Sequence, residues 1–269
     1  MEELSILKRG FISLLNVLYS PSIELRIGSL SLHVFTDGFG SIEENVFDNI
    51  YFTDEEIREA DTIIDLGAHH CSFTVSSVVR SSPGSTIVAV EPNPLAVKLC
   101  VDNIRALRLL IARKKLNVRV LNRAVRNSEG VVDLKLSWWS EGHHVGLESY
   151  GDGVKVRTVT LNDILKLTKG KTIIKMDIEG AEYRVLKNAD LRGVHMIAVE
   201  AHGDPYVIAG ILRDQGFETI IQYHELGKRL SRAWLKVEPR SYGLLVATYR
   251  LVASQVAKPK VTIVKGIRI

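Results

Sequence analysis

The sequence predicts an α/β protein: a doubly wound, mostly parallel, seven-stranded sheet with an N-terminal helix and hairpin extension. Three observations carry this. Short apolar runs recur at 62–66, 86–90, 118–122, 172–176, 196–201, 217–222 and 243–249. Segments of helical spacing separate most of them, and strand alternating with helix implies a parallel sheet covered on both faces. Finally, Asp65, Glu91, Asp177 and His202 fall at or just past the ends of separate runs. In such sheets ligands bind at the carboxyl ends of the strands.

The elements follow in order. Leu4, Leu7, Phe11, Leu14, Leu15 and Leu18 recur at helical spacing, so residues 2–19 read as an amphipathic helix stopped by Pro21. Its apolar face packs on the main domain, or else serves a homodimer or a peripheral membrane contact. The segment faintly resembles a signal peptide, but Glu2, Glu3, Asn16 and the lack of a small-residue cleavage site argue against secretion. Ile23, Leu25 and Ile27, then Leu30, Leu32 and Val34, alternate around Gly28-Ser29 as a hairpin. Asp37 to Ser41 reads as a flexible loop, and Asp54 to Ala60 as a short helix capped by Thr53. Within the core, Pro94 to Leu107 is the clearest helix. Val131 to Leu136 and Val154 to Val159 alternate as an inserted hairpin, tipped by Trp138, Trp139, His143 and His144. That tip reads as a substrate lid or as rings packed on the domain. Thr160 caps a following helix, and the tail from Lys258 to Ile269 is a final edge strand or a basic contact. The expected division is an extension (1–60) packed on the core, a ligand-binding domain (61–250) with an insertion (131–159), and a basic tail (251–269).

The first run ends in Asp65-Leu66-Gly67-Ala68, and the second ends in Glu91, 24 residues beyond Gly67. Gly permits close approach of backbone to a ligand, and an acid on the neighbouring strand can accept both hydroxyls of a ribose. The series Gly67-Ala68-His69-His70-Cys71-Ser72 lacks the further glycines of a dinucleotide fingerprint. A pyrophosphate has little room there, which favours a nucleoside ligand without phosphates, such as S-adenosylmethionine.

A third stretch, Thr172 to Tyr183, runs from a strand into a polar turn and a helix. Asp177 and Glu179, two apart, face one cleft if the segment is extended. Glu179 and Glu182 can instead simply charge the first turn of the helix, and this suits Glu182 best.

Together with Ile64 to Ala68 and Glu91 to Pro94, the segments Lys175-Met176-Asp177-Ile178-Glu179-Gly180-Ala181-Glu182 and Val199-Glu200-Ala201-His202 resemble the FkbM-type S-adenosylmethionine-dependent methyltransferases. The resemblance covers roughly residues 43–221. It implies a class I methyltransferase-like, Rossmann-like fold and methyl transfer, commonly to a hydroxyl of a sugar- or polyketide-like acceptor. The family usually has Asn where His69 stands and Gly where Cys71 stands. His69 can still donate a hydrogen bond, and Cys71 fits if its φ is negative.

From these readings the expected cofactor residues are Asp65 and Gly67 on the methionine and ribose side, His69 in the turn, Glu91 on the ribose diol with Asn93 beside it, and Asn122 and Ala124 against the adenine. The expected catalytic residues are Asp177 as first general base, His202 as second because histidine titrates near neutrality, and Glu179. An alternative has Asp177, Glu179 and His202 sharing a divalent cation, for which Mn²⁺ is better suited than Mg²⁺; the reading adopted has no metal.

Composition bounds the rest. A chain of 269 residues with 46% hydrophobic residues can bury one sizeable domain. A net charge of 35 − 31 = +4 does not demand nucleic acid. The two cysteines form no framework, which points to a reducing cytoplasm, and no apolar run is long enough to span a membrane. The expected partner is a small-molecule or glycan-like acceptor. RNA is disfavoured because the Asp177–Glu182 segment is acidic and would repel phosphate. A non-catalytic scaffold on the same fold is the third reading, motivated by His69 and Cys71.

Overall fold

A computed structural model describes residues 22–27, 30–35, 39–134, 154–225 and 260–268. The helix expected over 2–19, the lid residues Trp138, Trp139, His143 and His144, and the strand expected over 243–249 lie outside these residues.

Strands β1 (Ser22–Ile27) and β2 (Leu30–Phe35) form the expected antiparallel hairpin. Helix α1 (Phe39–Ile42) continues as a π-helical turn over Glu43–Asp48, so Phe39 to Ser41 are helical where a loop was expected. Helix α2 (Asp54–Glu59) begins with a capping box. The Thr53 hydroxyl accepts the Glu56 N–H at 3.2 Å and the Glu56 carboxylate accepts the Thr53 N–H at 2.8 Å. These bonds satisfy two otherwise orphaned donors.

The core runs β3 (Thr62–Leu66), α3 (Ser72–Arg80), β4 (Thr86–Glu91), α4 (Pro94–Ala106), α5 (Arg108–Lys114) and β5 (Asn117–Asn122). Next come the short strands β6 (Ala124–Arg126), β7 (Val131–Leu134) and β8 (Val154–Thr160), which form a separate three-stranded sheet in the order β6-β8-β7. The chain continues through α6 (Leu161–Leu165), β9 (Thr172–Met176), α7 (Glu182–Lys187), β10 (Val194–Glu200), α8 (Pro205–Asp214), β11 (Glu218–Glu225) and β12 (Lys260–Ile267).

The main sheet has the order β11-β12-β10-β9-β3-β4-β5. Neighbours from β10 to β5 pair in parallel, and β12 pairs antiparallel with both β10 and β11. The tail expected at an edge, or as a basic contact, is therefore an interior strand. Two of its cations, Lys265 and Arg268, meet partners within the fold. Lys265 reaches both Glu56 carboxylate oxygens at 2.6 Å, and Arg268 donates to the carbonyls of Leu191, Val194 and Gln215 at 3.0 Å.

The central strands β3, β4 and β9 are buried throughout, so their side chains alternate between two cores. Ile64, Leu66, Ile174 and Met176 pack against α6, α7 and α8. Ile63, Ile87 and Ile173 pack with Tyr51, Phe52, Phe73 and Val78 on the opposite face. The sheet is thus held rigid from both sides, and the carboxyl ends of its strands form one edge. Among the described residues no helix is long and apolar enough to cross a membrane.

Candidate active site

The first turn is set by how closely it passes the end of β9. Gly67 has φ +74°, and a Cβ there would lie 1.6 Å from the Asp177 backbone oxygen. Only Gly fits this spot. The N–H groups of Gly67 and Ala68 both donate to the Val90 carbonyl at 3.0 Å, tying the turn to β4. Two further residues adopt left-handed backbone, His69 (φ +51°) and Cys71 (φ +68°). For a residue with a side chain this conformation costs roughly 1–2 kcal/mol. Cys71 therefore takes a conformation that favours Gly, the residue usual there in the resembled family, and the negative φ under which a cysteine was expected to fit is not adopted.

Cys71 and Cys100 are bonded as a disulfide that joins the turn to α4, with Cα atoms 4.8 Å apart. The two cysteines, expected to form no framework, are therefore paired, and their small number no longer argues for a reducing compartment. The cause is that α4 packs directly behind the turn, which sequence separation does not reveal.

Glu91, the last residue of β4, is nearly fully buried. One carboxylate oxygen accepts the His69 N–H at 2.8 Å and the other accepts the Asn93 N–H at 2.7 Å. Burial pushes its pKa up to about 7, against the pull of those two hydrogen bonds. The Asn93 side chain caps α4 by accepting the Leu95 N–H, and Asn122 donates to the Glu91 and Pro92 carbonyls. Both asparagines thus shape the turn around Glu91. Ala124 is buried at the start of β6.

Asp65 has no exposed surface. It lies in register with Lys175 on β9, whose ammonium is 3.5 Å from one carboxylate oxygen, while Thr74 donates to the other at 2.6 Å. Burial raises the Asp65 pKa, and Lys175 and Thr74 oppose that shift. Lys175 is buried too, and its ammonium also donates to the Gly67 carbonyl at 2.8 Å and to Asp177 at 3.4 Å. Burial disfavours its charge, but Asp177 and Asp65 more than offset this and hold it protonated.

The ends of β9 and β10 gather the remaining groups. His202 Nε2 stands 3.8 Å from Asp177 Oδ1, 3.5 Å from Glu179 Oε2 and 3.9 Å from Glu200 Oε1. Its Nδ1 is 3.0 Å from Glu182 Oε1. Asp177 and Glu179 do reach one place, but through a turn in which Glu179 has φ +53°, not through strand alternation. Glu182 does more than charge a helix end. It is buried and accepts the N–H groups of Ile178 and Gly180 at 3.2 and 3.1 Å as well as meeting His202.

Burial works against the charged imidazole, but the Glu182 hydrogen bond and the charges of Asp177 and Glu182 carry the His202 pKa to about 9. The near-neutral titration expected of His202 is thereby displaced, and the ring is charged at pH 7. Burial and then Asp177 push both Glu179 and Glu200 up to about 7. The sequence reading missed Lys175, Glu182, Glu200 and Tyr51, whose hydroxyl donates to Glu200 Oε2 at 2.6 Å. A lysine inside an apolar strand and an acid two residues before His202 were the available signals; Tyr51 gave none.

The profile of the methyltransferase FkbM domain matches residues 65–230, more than half of the chain. The chain belongs to the FkbM methyltransferase family. It is an S-adenosylmethionine-dependent methyltransferase. No curated protein matches it. Among solved structures it is similar to the precorrin-6y C5,15-methyltransferase of Geobacter metallireducens, at 15% identity over 80% of this chain and 85% of that one, with a TM-score of 0.43. It is also similar to an O-methyltransferase from Bacillus cereus in complex with S-adenosylhomocysteine, at 10% identity over 96% and 97%, with a TM-score of 0.41. At such identities and scores neither carries a substrate over to this chain.

The donor set fits the cofactor. Each Glu91 carboxylate oxygen accepts one backbone N–H and keeps a lone pair for a ribose hydroxyl. The carboxylate-rich edge suits a ligand bearing a sulfonium and an ammonium.

Proposed function

We propose that this FkbM-family chain transfers the methyl group to a hydroxyl of a small sugar- or metabolite-like acceptor. The observation that carries this reading is the gathering of Asp177, Glu179, Glu200 and His202 on adjacent strand ends, next to the Gly67 turn. A hydroxyl is a weak nucleophile and benefits from a base, whereas a cluster this acidic disfavours a phosphate-bearing acceptor.

In this reading the Glu91 carboxylate takes both ribose hydroxyls, with His69 and Asn93 fixing it through their backbone N–H groups. Gly67 lines the methionine and ribose side. Asp65 contributes through Lys175, being buried itself. Asn122 and Ala124 lie toward the adenine. The cofactor, when bound, supplies an electrophilic methyl on sulfur. Asp177 receives the acceptor proton with Glu179 beside it, since His202 is charged near neutrality. Most of the acceleration comes from alignment of the acceptor oxygen with the methyl. A cytoplasmic location goes with this reading through the supply of cofactor, not through the paired cysteines.

The test is turnover of labelled cofactor on a panel of hydroxylated acceptors. Asp177→Asn should lower turnover roughly 10²-fold or more while cofactor affinity is retained. Unchanged turnover would remove Asp177 from the base role.

One observation favours a second reading, with RNA as acceptor. Residues 98–126 hold nine Lys and Arg and a single acid, Asp102. Lys98, Arg105, Arg108, Arg113, Lys115 and Arg119 are exposed along α4, α5 and β5. Labelled methyl recovered in RNA, and not in small acceptors, would put this reading first.

A further inference from the structure

We propose that the ends of β9 and β10 bind a divalent transition cation, Mn²⁺ in character, between Asp177, Glu200 and His202, with Glu179 as a fourth ligand. Each of these first three residues can offer one ligand atom, and the three atoms lie within 4.8 Å of one another.

The division of labour within each side chain singles out an ion over an ordinary polar cluster. Asp177 turns Oδ2 to the Lys175 ammonium, 3.4 Å away. Glu200 turns Oε2 to the Tyr51 hydroxyl at 2.6 Å. His202 turns Nδ1 to Glu182 at 3.0 Å. The three outer partners, Tyr51, Lys175 and Glu182, are all buried. The opposite atoms, Asp177 Oδ1, Glu200 Oε1 and His202 Nε2, are left converging on a common space, and Glu179 Oε2 meets them there. A metal-ligating histidine characteristically donates its other ring N–H to a carboxylate, which fixes the tautomer and points the free nitrogen at the ion.

The distances agree. The contacts of Nε2 with the three carboxylates, 3.5, 3.8 and 3.9 Å, are too long for good hydrogen bonds. Ligands each about 2.0–2.2 Å from one ion stand roughly 3–4.4 Å apart. Charge agrees as well. Four carboxylates (Asp177, Glu179, Glu182 and Glu200) face one ammonium, itself shared with Asp65, and one imidazole that is neutral when it ligates, so a dication offsets part of the excess negative charge. Carboxylates mixed with one imidazole suit Mn²⁺ better than Mg²⁺ or a thiolate-seeking ion.

The role of the ion rests on the reading of a hydroxyl acceptor. An acceptor oxygen ligated there would give up its proton more readily to the Asp177 and Glu179 pair that receives it in that reading. Its O–CH₃ bond would then form as the CH₃–S bond breaks, releasing S-adenosylhomocysteine.

The test uses the whole chain, stripped with chelator and titrated with MnCl₂, with free Mn²⁺ followed by electron paramagnetic resonance and heat by calorimetry. We expect one ion per chain, and at least a tenfold loss of affinity in His202→Ala and in Glu200→Gln. Lys265→Met, whose ammonium meets Glu56 and none of the four ligands, should bind as wild type. No stoichiometric uptake by the wild-type chain overturns the site, as does uptake that His202→Ala and Glu200→Gln leave unchanged. Binding is read without cofactor or acceptor. Failure to bind Mn²⁺ therefore leaves hydroxyl methylation standing, and a bound ion without turnover on hydroxyl acceptors removes that reading and not the site.

Discussion

Gly67 and Asp177 touch backbone to backbone: a Cβ on Gly67 would lie 1.6 Å from the Asp177 carbonyl oxygen. The turn proposed to receive the cofactor and the turn that presents the candidate base are thus one packed unit. Gly67→Ala must push β3 and β9 apart at their carboxyl ends, and it also places a side chain at φ +74°. The expected loss is roughly 3 kcal/mol or more, with cofactor binding abolished. Urea denaturation and calorimetry read the two effects. A loss below about 1 kcal/mol would show that the strand ends separate easily.

Lys175 ties the carboxylates of Asp65 and Asp177 to the Gly67 carbonyl from inside the sheet. Removing its charge in Lys175→Met leaves Asp65 buried without a counter-ion and frees the Gly67 carbonyl. Breaking a buried pair on one side typically costs about 3–5 kcal/mol. Lys175→Met combined with Asp65→Asn should recover most of that, because the uncompensated charge is gone. The double-mutant cycle is the measurement, and strict additivity would mean that the two residues do not interact.

Glu91 carries a pH signature. Burial holds its carboxyl near pH 7 against an ordinary 4.5, so between these values the native chain keeps a proton that the unfolded chain has released. The contribution to stability is fully present below about 4.5 and is lost as the pH rises through about 7. About 2.5 units correspond to roughly 3 kcal/mol. Between pH 5 and 8 the wild-type chain should therefore lose more stability than Glu91→Gln, which cannot ionise. The same variant should bind S-adenosylmethionine about 10- to 100-fold more weakly, the loss expected when a charged acceptor becomes neutral. Parallel pH profiles of the two proteins would place the titration elsewhere.

The legible and illegible parts of the sequence divide along one physical line. β3 and β9 occupy the predicted residues, because a strand buried on both faces reads as an unbroken apolar run. Asp177 and His202 come together because parallel strands bring their carboxyl ends to one edge. Lys175 could not be paired with Asp65 before the register of β3 against β9 was known. Tyr51 and Glu200 lie 149 residues apart, and no local pattern joins them. Cys71 and Cys100 met for the same reason, through packing of α4 behind the first turn.

The C-terminal strand was misread because its lysines look like surface charge, and its removal makes a sharp test. β12 is bonded on one side to β10 and on the other to β11, so deleting residues 258–269 opens the interior of the sheet instead of trimming an edge. Val261, Ile263 and Val264 leave their cores with it, and Glu56 loses Lys265. Truncation should therefore abolish cooperative unfolding, whereas a dispensable basic tail would leave the melting temperature unchanged. Lys265→Met separates charge from strand. Its ammonium meets a Glu56 carboxylate that already accepts the Thr53 N–H. Losing that partner leaves a half-buried acid still held by the helix cap, for an expected loss of about 1–2 kcal/mol with the fold intact. A cooperative, slightly destabilised Lys265→Met beside an unfolded truncation would assign the tail's importance to its backbone pairing and apolar side chains, with its charge secondary.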